Sequence, residues 1–278
     1  MKNILLLTDF SENARNAMVY GLELFGEDVN YSLLNACQEP GDDTDVLISV
    51  KDILIDTSNK ALQLELDFIY KTFPEKKINV LPRVECGAVE VVLDVISREE
   101  NFDFVVMGTK GTTSDRWFVG SVAKSVVQHS PFPVIVIPQN AKLKEINNMA
   151  YATNLSDDET TLIKLLVDFA ESQSAQISFL HIDKSAERIA ASMKKFSDLS
   201  ERASYNKIKY VDLIDDDIEN AIIEYTEKNN IDLLAVTTYT TTLLKKLFNH
   251  SVTRELMLHS KIPMLVFNRK KYSYIFLG

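Results

Sequence analysis

The stretch SVAKSVVQHSPFPVIVIP, Ser121–Pro138, returns without a gap as SVTRELMLHSKIPMLVFN, Ser251–Asn268. Ser121, Val122, His129, Ser130 and Pro133 recur in place as Ser251, Val252, His259, Ser260 and Pro263. Upstream, DFVVMG from Asp103 is matched by DLLAVT from Asp232, and the opening NILLLTDFSENA from Asn3 by NMAYATNLSDDE from Asn148. A pattern written twice implies two copies of one structural unit. The copies occupy residues 1–140 and 147–270, each long enough for a core of its own. The short polar run Gln139–Glu145 reads as the linker between them.

Within the first copy, short apolar runs alternate with segments of helical period. Strands are expected at Ile4–Thr8, Tyr31–Ala36, Ile78–Val84, Phe104–Met107 and Val134–Ile137, and helices at about 12–25, 52–72, 88–100 and 120–129. Ser11 is placed to cap the first helix, with Ala14, Ala17, Met18 and Leu22 following at helical spacing. The second copy repeats the same β-α-β-α-β-α-β-α-β order. Such alternation predicts an α/β fold: two open parallel five-stranded sheets, each with helices on both faces.

Composition narrows the function. Hydrophobic residues make up 46% and charged residues 25% of the 278, an ordinary globular balance. The net charge of −10 disfavours nucleic acid and acidic membranes as partners. The acidity is uneven: residues 1–140 carry 12 Lys and Arg against 21 Asp and Glu, while residues 141–278 carry 18 against 19. The N-terminal apolar run meets Asp9 too early for a signal segment, and no run approaches the roughly 18–20 residues of a membrane span, so a cytoplasmic location is expected. Cys37 and Cys86 form no CxxC pair and have no zinc-type neighbours, so both are expected to be reduced thiols and no metal site is expected.

In an open parallel sheet, ligands bind beyond the carboxyl ends of the strands where the winding reverses. If the first three strands wind one way and the last two the other, the reversal lies between the first and the fourth. Asp9 ends the first strand there, and Met107-Gly108-Thr109-Lys110-Gly111 ends the fourth, with Gly120-Ser121-Val122 opening a helix eight residues later. Glycines let backbone N–H groups approach an anion, and a helix N-terminus adds unpaired donors and a favourable dipole. Phosphate binding is chemically sensible here, although turn glycines alone give the same spacing. Asp9 either meets a ligand or caps the next helix. Thr8 either faces the site or finishes the strand. Trp117 either covers a ligand or anchors its loop, and Lys110 and Arg116 either neutralise phosphates or are solvated. His129 and His259 read as helix-end hydrogen-bonding groups.

These motifs, with TDFS at the first strand and G-x2-G-x8-G-S after the fourth, resemble those of tandem universal stress proteins. ATP-binding members of that family carry G-x2-G-x9-G-[ST], one residue longer. The resemblance covers nearly all of the chain and implies the adenine nucleotide alpha hydrolase-like fold. It implies ATP as ligand, with Mg2+ as the accompanying ion. By matched position, the aspartate that meets adenine is Asp9, and the residue lining the base pocket is Ala36. Met107 and Gly108 would touch ribose, and Gly111, Gly120, Ser121 and Val122 would hold the phosphates. It also implies that fifth strands pair across an interface, so an intramolecular pseudo-dimer is expected, with a homodimer as a further assembly.

The second copy departs from that pattern. Seven of the eight glycines lie within residues 1–120, and the eighth is Gly278. Its loop reads Thr237-Thr238-Tyr239-Thr240-Thr241, with His250-Ser251 in place of Gly120-Ser121, and Asn154 stands where the first copy has Asp9. β-Branched residues disfavour positive φ and hold the backbone away from an anion. Asp215-Asp216-Asp217 follow its third strand and would repel a triphosphate. The second copy is therefore expected to be degenerate. The function expected is that of a stress-response regulatory or sensor protein binding ATP in its N-terminal half. Two alternatives stand beside it: a module that binds only an unidentified protein partner, and a slow hydrolase in which Asp115 orients a water. No Walker motif, triad or paired carboxylates stand out. The apolar tail Lys271–Gly278 is expected to dock on the body or on a partner.

Overall fold

A computed structural model of the chain describes residues 1–37, 47–109, 120–153, 155, 159–183, 192–197, 204–237 and 262–268. It divides into two compact units, Met1–Leu143 and Lys144–Gly278. The first runs β1 (Lys2–Leu7), α1 (Glu12–Phe25), β2 (Val29–Cys37), α2 (Leu47–Thr72), β3 (Val80–Cys86), α3 (Val89–Ile96), β4 (Phe104–Gly108), α4 (Ser121–His129) and β5 (Val134–Ile137). Its strands lie in the order β3-β2-β1-β4-β5, every pair parallel. The winding therefore reverses between β1 and β4, the arrangement supposed from the sequence.

The central position of β1 explains its composition. Ile4, Leu5 and Leu6 are fully buried, and a strand covered on both faces reads as a continuous apolar run. Helix α1 turns Ala14, Ala17, Met18 and Leu22 inward, the stripe expected from its sequence. It ends at Gly26, whose φ of 74° suits a residue without a side chain and whose N–H reaches the Leu22 carbonyl. Arg15 of α1 makes a two-pronged ion pair with Glu65 of α2, at 2.6 and 3.0 Å, and lies over the Phe68 ring. The hydrogen bond to Glu65 holds the Arg15 guanidinium above its ordinary pKa.

The repeated aspartates of DFVVMG and DLLAVT fasten the strands at their amino ends. Asp103 Oδ2 accepts the Asn3 N–H at 2.7 Å, while its own N–H reaches the Asn3 carbonyl. Asp232 does the same for Asn148 in the second unit. Ser130, fully buried, both donates to the Phe132 carbonyl and accepts the Phe132 N–H, which sets the turn into β5.

The second unit runs β6 (Asn148–Ala152), α5 (Thr160–Ser172), β7 (Gln176–Asp183), α6 (192–197), β8 (Ile208–Ile214), α7 (Ile218–Lys228), β9 (Leu233–Thr237) and β10 (Met264–Phe267). Its order is β10-β9-β6-β7-β8, again parallel throughout. The helix expected before β10 and the apolar tail fall outside the described residues.

The cysteines are not as expected. Cys37 and Cys86 are joined in a disulfide, with Cα atoms 4.5 Å apart. Neither spacing nor motif brings them together; the strand register does, because they face each other as the last pair of the β2–β3 ladder.

Candidate functional site

The rim beyond β1 is built by a short hydrogen-bonded turn. Thr8 N–H reaches the Leu34 carbonyl of β2, and Thr8 Oγ1 accepts the Phe10 N–H at 3.0 Å, which holds Phe10 at a φ of 66°. Thr8 is buried and serves the turn. Asp9 is half-buried, and its Oδ1 accepts the Ser11 N–H at 3.1 Å. Ser11 then caps α1 by accepting the Ala14 N–H. Asp9 thus has a turn-forming role whatever else its carboxylate meets. From β2, the buried Asn35 donates to the Thr8 carbonyl at 2.8 Å and ties the two strand ends together. Ala36 follows it, half-buried at the same rim.

Across the reversal, β4 ends at Met107 and Gly108, both buried. Gly108 is a glycine for steric reasons: Asn13, in the first turn of α1, occupies the space a Cβ would need. Thr109 N–H reaches the Ile137 carbonyl of β5, and the Thr109 carbonyl accepts the Gly120 N–H at 2.8 Å. Gly120 is thus held against the end of β4. Gly120 begins α4 with φ −61° and ψ 152°, an ordinary extended geometry, and no side chain caps the helix. Ser121 and Val122 are exposed, and Ala123 is the first buried residue of α4. The first turn of α4 thus exposes Ser121 and Val122, at the helix end where the dipole favours an anion. The structure brings Asp9, Ala36, Met107, Gly108, Gly120, Ser121 and Val122 to the carboxyl rim of one sheet. Gly111, with Lys110, Asp115, Arg116 and Trp117, lies outside the described residues. At the far end of α4, His129 Nδ1 lies 2.9 Å from the Ser125 carbonyl, the helix-end role expected of it.

The second unit repeats the turn and changes its surroundings. Thr153 Oγ1 accepts the Leu155 N–H at 2.8 Å, and Leu155 has φ 53°, so the geometry of Thr8 and Phe10 recurs. Behind it, Glu159 is 1% exposed and accepts hydrogen bonds from the hydroxyls of Tyr151 and Thr153. The position matching Glu159 in the first unit is Ala14, so a carboxylate replaces a methyl beneath this rim. Asp215 and Asp217 turn out to be helix-start residues: Asp217 N–H reaches Asp215 Oδ1, and Asn220 N–H reaches Asp217 Oδ1. Asn154, Thr238–Thr241, His250, Ser251 and His259 lie outside the described residues. Among the described residues, no group of three or more metal-binding side chains occurs.

Three side chains of the second unit fall into a Ser-His-Asp order that the sequence does not reveal. His181 Nδ1 lies 3.0 Å from Asp212 Oδ1, and Ser192 Oγ lies 3.4 Å from His181 Nε2. Tyr210 also donates to Asp212, and its hydroxyl pKa is raised, first by burial and then by that bond. Ser192 and His181 are each 8% exposed, and Phe196 of α6 packs against Phe179 and Tyr210. The network packs α6 onto β7 and β8, with both His181 and Ser192 buried. Asn13 and Asn35 were likewise missed, because single buried amides leave no periodic or motif signal.

A model of the universal stress protein family matches residues 1–138 and again 145–268. The chain belongs to the universal stress protein family. The two matches make it a tandem, two-domain member. Among solved structures, it is similar to a universal stress protein from Archaeoglobus fulgidus DSM 4304, with 18% identity over 96% of each chain and a TM-score of 0.66. It is also similar to the cytoplasmic domain of a prokaryotic cation chloride cotransporter, with 12% identity over 96% of each chain and a TM-score of 0.56. At these identities the likeness speaks for the fold. No curated protein matches the chain. No helix among the described residues is long and apolar enough to cross a membrane.

Proposed function

We propose that this chain is a cytoplasmic stress-response regulatory or sensor protein that binds ATP, with Mg2+, in the crevice of its first unit. The observation that carries the reading is the rim between β1 and β4. There the first turn of α4 exposes Ser121 and Val122, Gly120 is hydrogen-bonded back to Thr109 at the end of β4, and the Thr8–Asp9–Phe10 turn stands on the other side of the reversal. An anion would meet backbone donors and a helix dipole, while Asp9 and Ala36 would meet the base. Gly111 would add a further backbone donor by its place in the motif.

The second unit is proposed to bind no nucleotide. Its rim lacks the glycines, has Glu159 beneath it and carries Asp215–Asp217 as a negatively charged helix start. Its contribution would then be to assembly and to recognition of a protein partner, and a homodimer belongs to the same proposal. Native mass spectrometry of freshly purified protein tests the reading. It should show one co-purifying adenine nucleotide per chain, lost on dialysis and restored by ATP with Mg2+. Protein that carries no nucleotide and gives no thermal shift with ATP would instead favour a module that binds only protein.

A further inference from the structure

The β2–β3 and β7–β8 ladders provide a comparison within one molecule. Each consists of seven register pairs, from Tyr31↔Val80 to Cys37↔Cys86 in the first unit and from Ile177↔Ile208 to Asp183↔Ile214 in the second. Thr8 N–H to Leu34 and Thr153 N–H to Leu180 fix the equivalence, so Cys37 matches Asp183 and Cys86 matches Ile214. The same ladder, at the same length, is therefore built in the second unit without a cross-link. The disulfide is not what makes this pair of strands.

Its location differs from that of a buried staple. It closes the carboxyl end of the ladder, at the rim, directly after Ala36. Cys37 is 6% exposed, whereas Cys86 is only half-buried, so the Cys86 end of the bridge is the less shielded of the two. The Cys37 carbonyl accepts the Gly87 N–H at 2.8 Å, a backbone tie between the two strand ends that does not run through the sulfurs. These features suit a bond that is made and broken within the folded state.

We propose that Cys37 and Cys86 form a reversible thiol–disulfide exchange site, reduced by a dithiol that attacks Cys86 Sγ. The attacking thiolate forms a mixed disulfide with Cys86, and Cys37 leaves as a thiolate that takes up a proton. The second thiol of the reductant then displaces Cys86, which is released as a thiol. Two electrons and two protons pass to the protein, and the dithiol becomes a disulfide. The reverse reaction uses a small disulfide as oxidant. In a reducing compartment such a pair acts as a redox sensor rather than as a permanent brace. The proposal is independent of whether the first unit binds ATP.

The test uses the full chain in native buffer. Oxidised protein is exposed to dithiothreitol, quenched with an alkylating reagent and weighed intact. Two alkyl adducts should appear while the circular dichroism spectrum stays folded, and excess oxidised glutathione should return the chain to none. Resistance to dithiothreitol until the chain is unfolded by denaturant would overturn the proposal, because it would mark a structural staple. So would free thiols that persist in excess oxidised glutathione. In single variants, Cys37→Ser should form a mixed disulfide with glutathione at least about tenfold faster than Cys86→Ser, because exposure governs attack. Equal rates would overturn the assignment of Cys86 as the attacked sulfur. If either variant fails to fold, the unmodified chain still decides the main question.

Discussion

Asn13 and Gly108 lie in contact where the first turn of α1 meets the end of β4: a Cβ on Gly108 would stand 2.6 Å from Asn13 Nδ2, 2.9 Å from its Cγ and 3.0 Å from its backbone oxygen. The relationship ties the two strand ends that flank the crevice, because α1 starts from the turn after β1. It gives Gly108 a reason to be glycine that precedes any ligand. Gly108→Ala should therefore destabilise the first unit by about 1–3 kcal/mol through overpacking. Urea unfolding measures this. Adding Asn13→Ala should recover only part of the loss, because the backbone oxygen remains in place.

Asp9 can be tested for two roles separately. Asp9→Asn keeps an oxygen to accept the Ser11 N–H, so stability should stay within about 0.5 kcal/mol of the parent. It also exchanges one acceptor oxygen for a donor, and ATP affinity should fall. Asp9→Ala should lose both, with about 1 kcal/mol of stability gone with the turn acceptor. Calorimetric titration beside thermal melts distinguishes the outcomes; an Asn variant that binds as the parent does would restrict Asp9 to the turn.

Tyr31 predicts a loss of stability at high pH. It is 1% exposed, its hydroxyl donates to the Gly26 carbonyl at 2.7 Å, and burial raises its pKa well above the ordinary value. In the unfolded chain the phenol ionises near about pH 10, while in the fold it stays neutral to higher pH. Its contribution is thus complete below the unfolded value and is lost as pH rises towards the folded one. Denaturation midpoints of the first unit should fall above about pH 10. Tyr31→Phe should start about 1 kcal/mol less stable and decline less steeply. A parallel decline in parent and variant would contradict the assignment.

The clamp aspartates should behave alike in the two units. Asp103→Ala removes the acceptor of the Asn3 N–H, and Asp232→Ala that of Asn148. Each should cost its own unit about 1–3 kcal/mol, the typical cost of an unsatisfied group near a strand end. Hydrogen exchange resolves which unit responds. A variant that loosens neither β1 nor β6 would show that backbone pairing alone suffices there.

Much of the fold was legible because it is periodic and written twice. Val134–Ile137 is the strand expected, and the helix read at 12–25 is α1. The reversal between β1 and β4 was a supposition about the winding, which the strand order then supplies. The pieces that were not legible depend on pairs distant in sequence. Cys37 and Cys86 stand 49 residues apart and meet only through strand register. Asn13 meets Gly108, and His181 meets Asp212, in the same way. Polar residues with local alternatives were also ambiguous from sequence. Asp215–Asp217 reads as a charged cluster until the backbone shows which N–H groups it accepts, and Thr8 reads as a strand end until Phe10 is seen bonded to its hydroxyl.

Stoichiometry tests the central claim most directly: one nucleotide per chain, held at the α4 end of the first unit. The measurement is calorimetric titration of the full chain with ATP and Mg2+, run on the parent and on Gly120→Val. Gly120 has an ordinary extended backbone, a conformation valine adopts readily; the substitution places branched bulk where the phosphates would meet the first turn of α4. The account predicts one site per chain in the parent. In a Gly120→Val variant that melts as the parent does, affinity should fall by well over about 1.4 kcal/mol, a tenfold change. Two sites per chain, or unchanged binding in the folded variant, would contradict it.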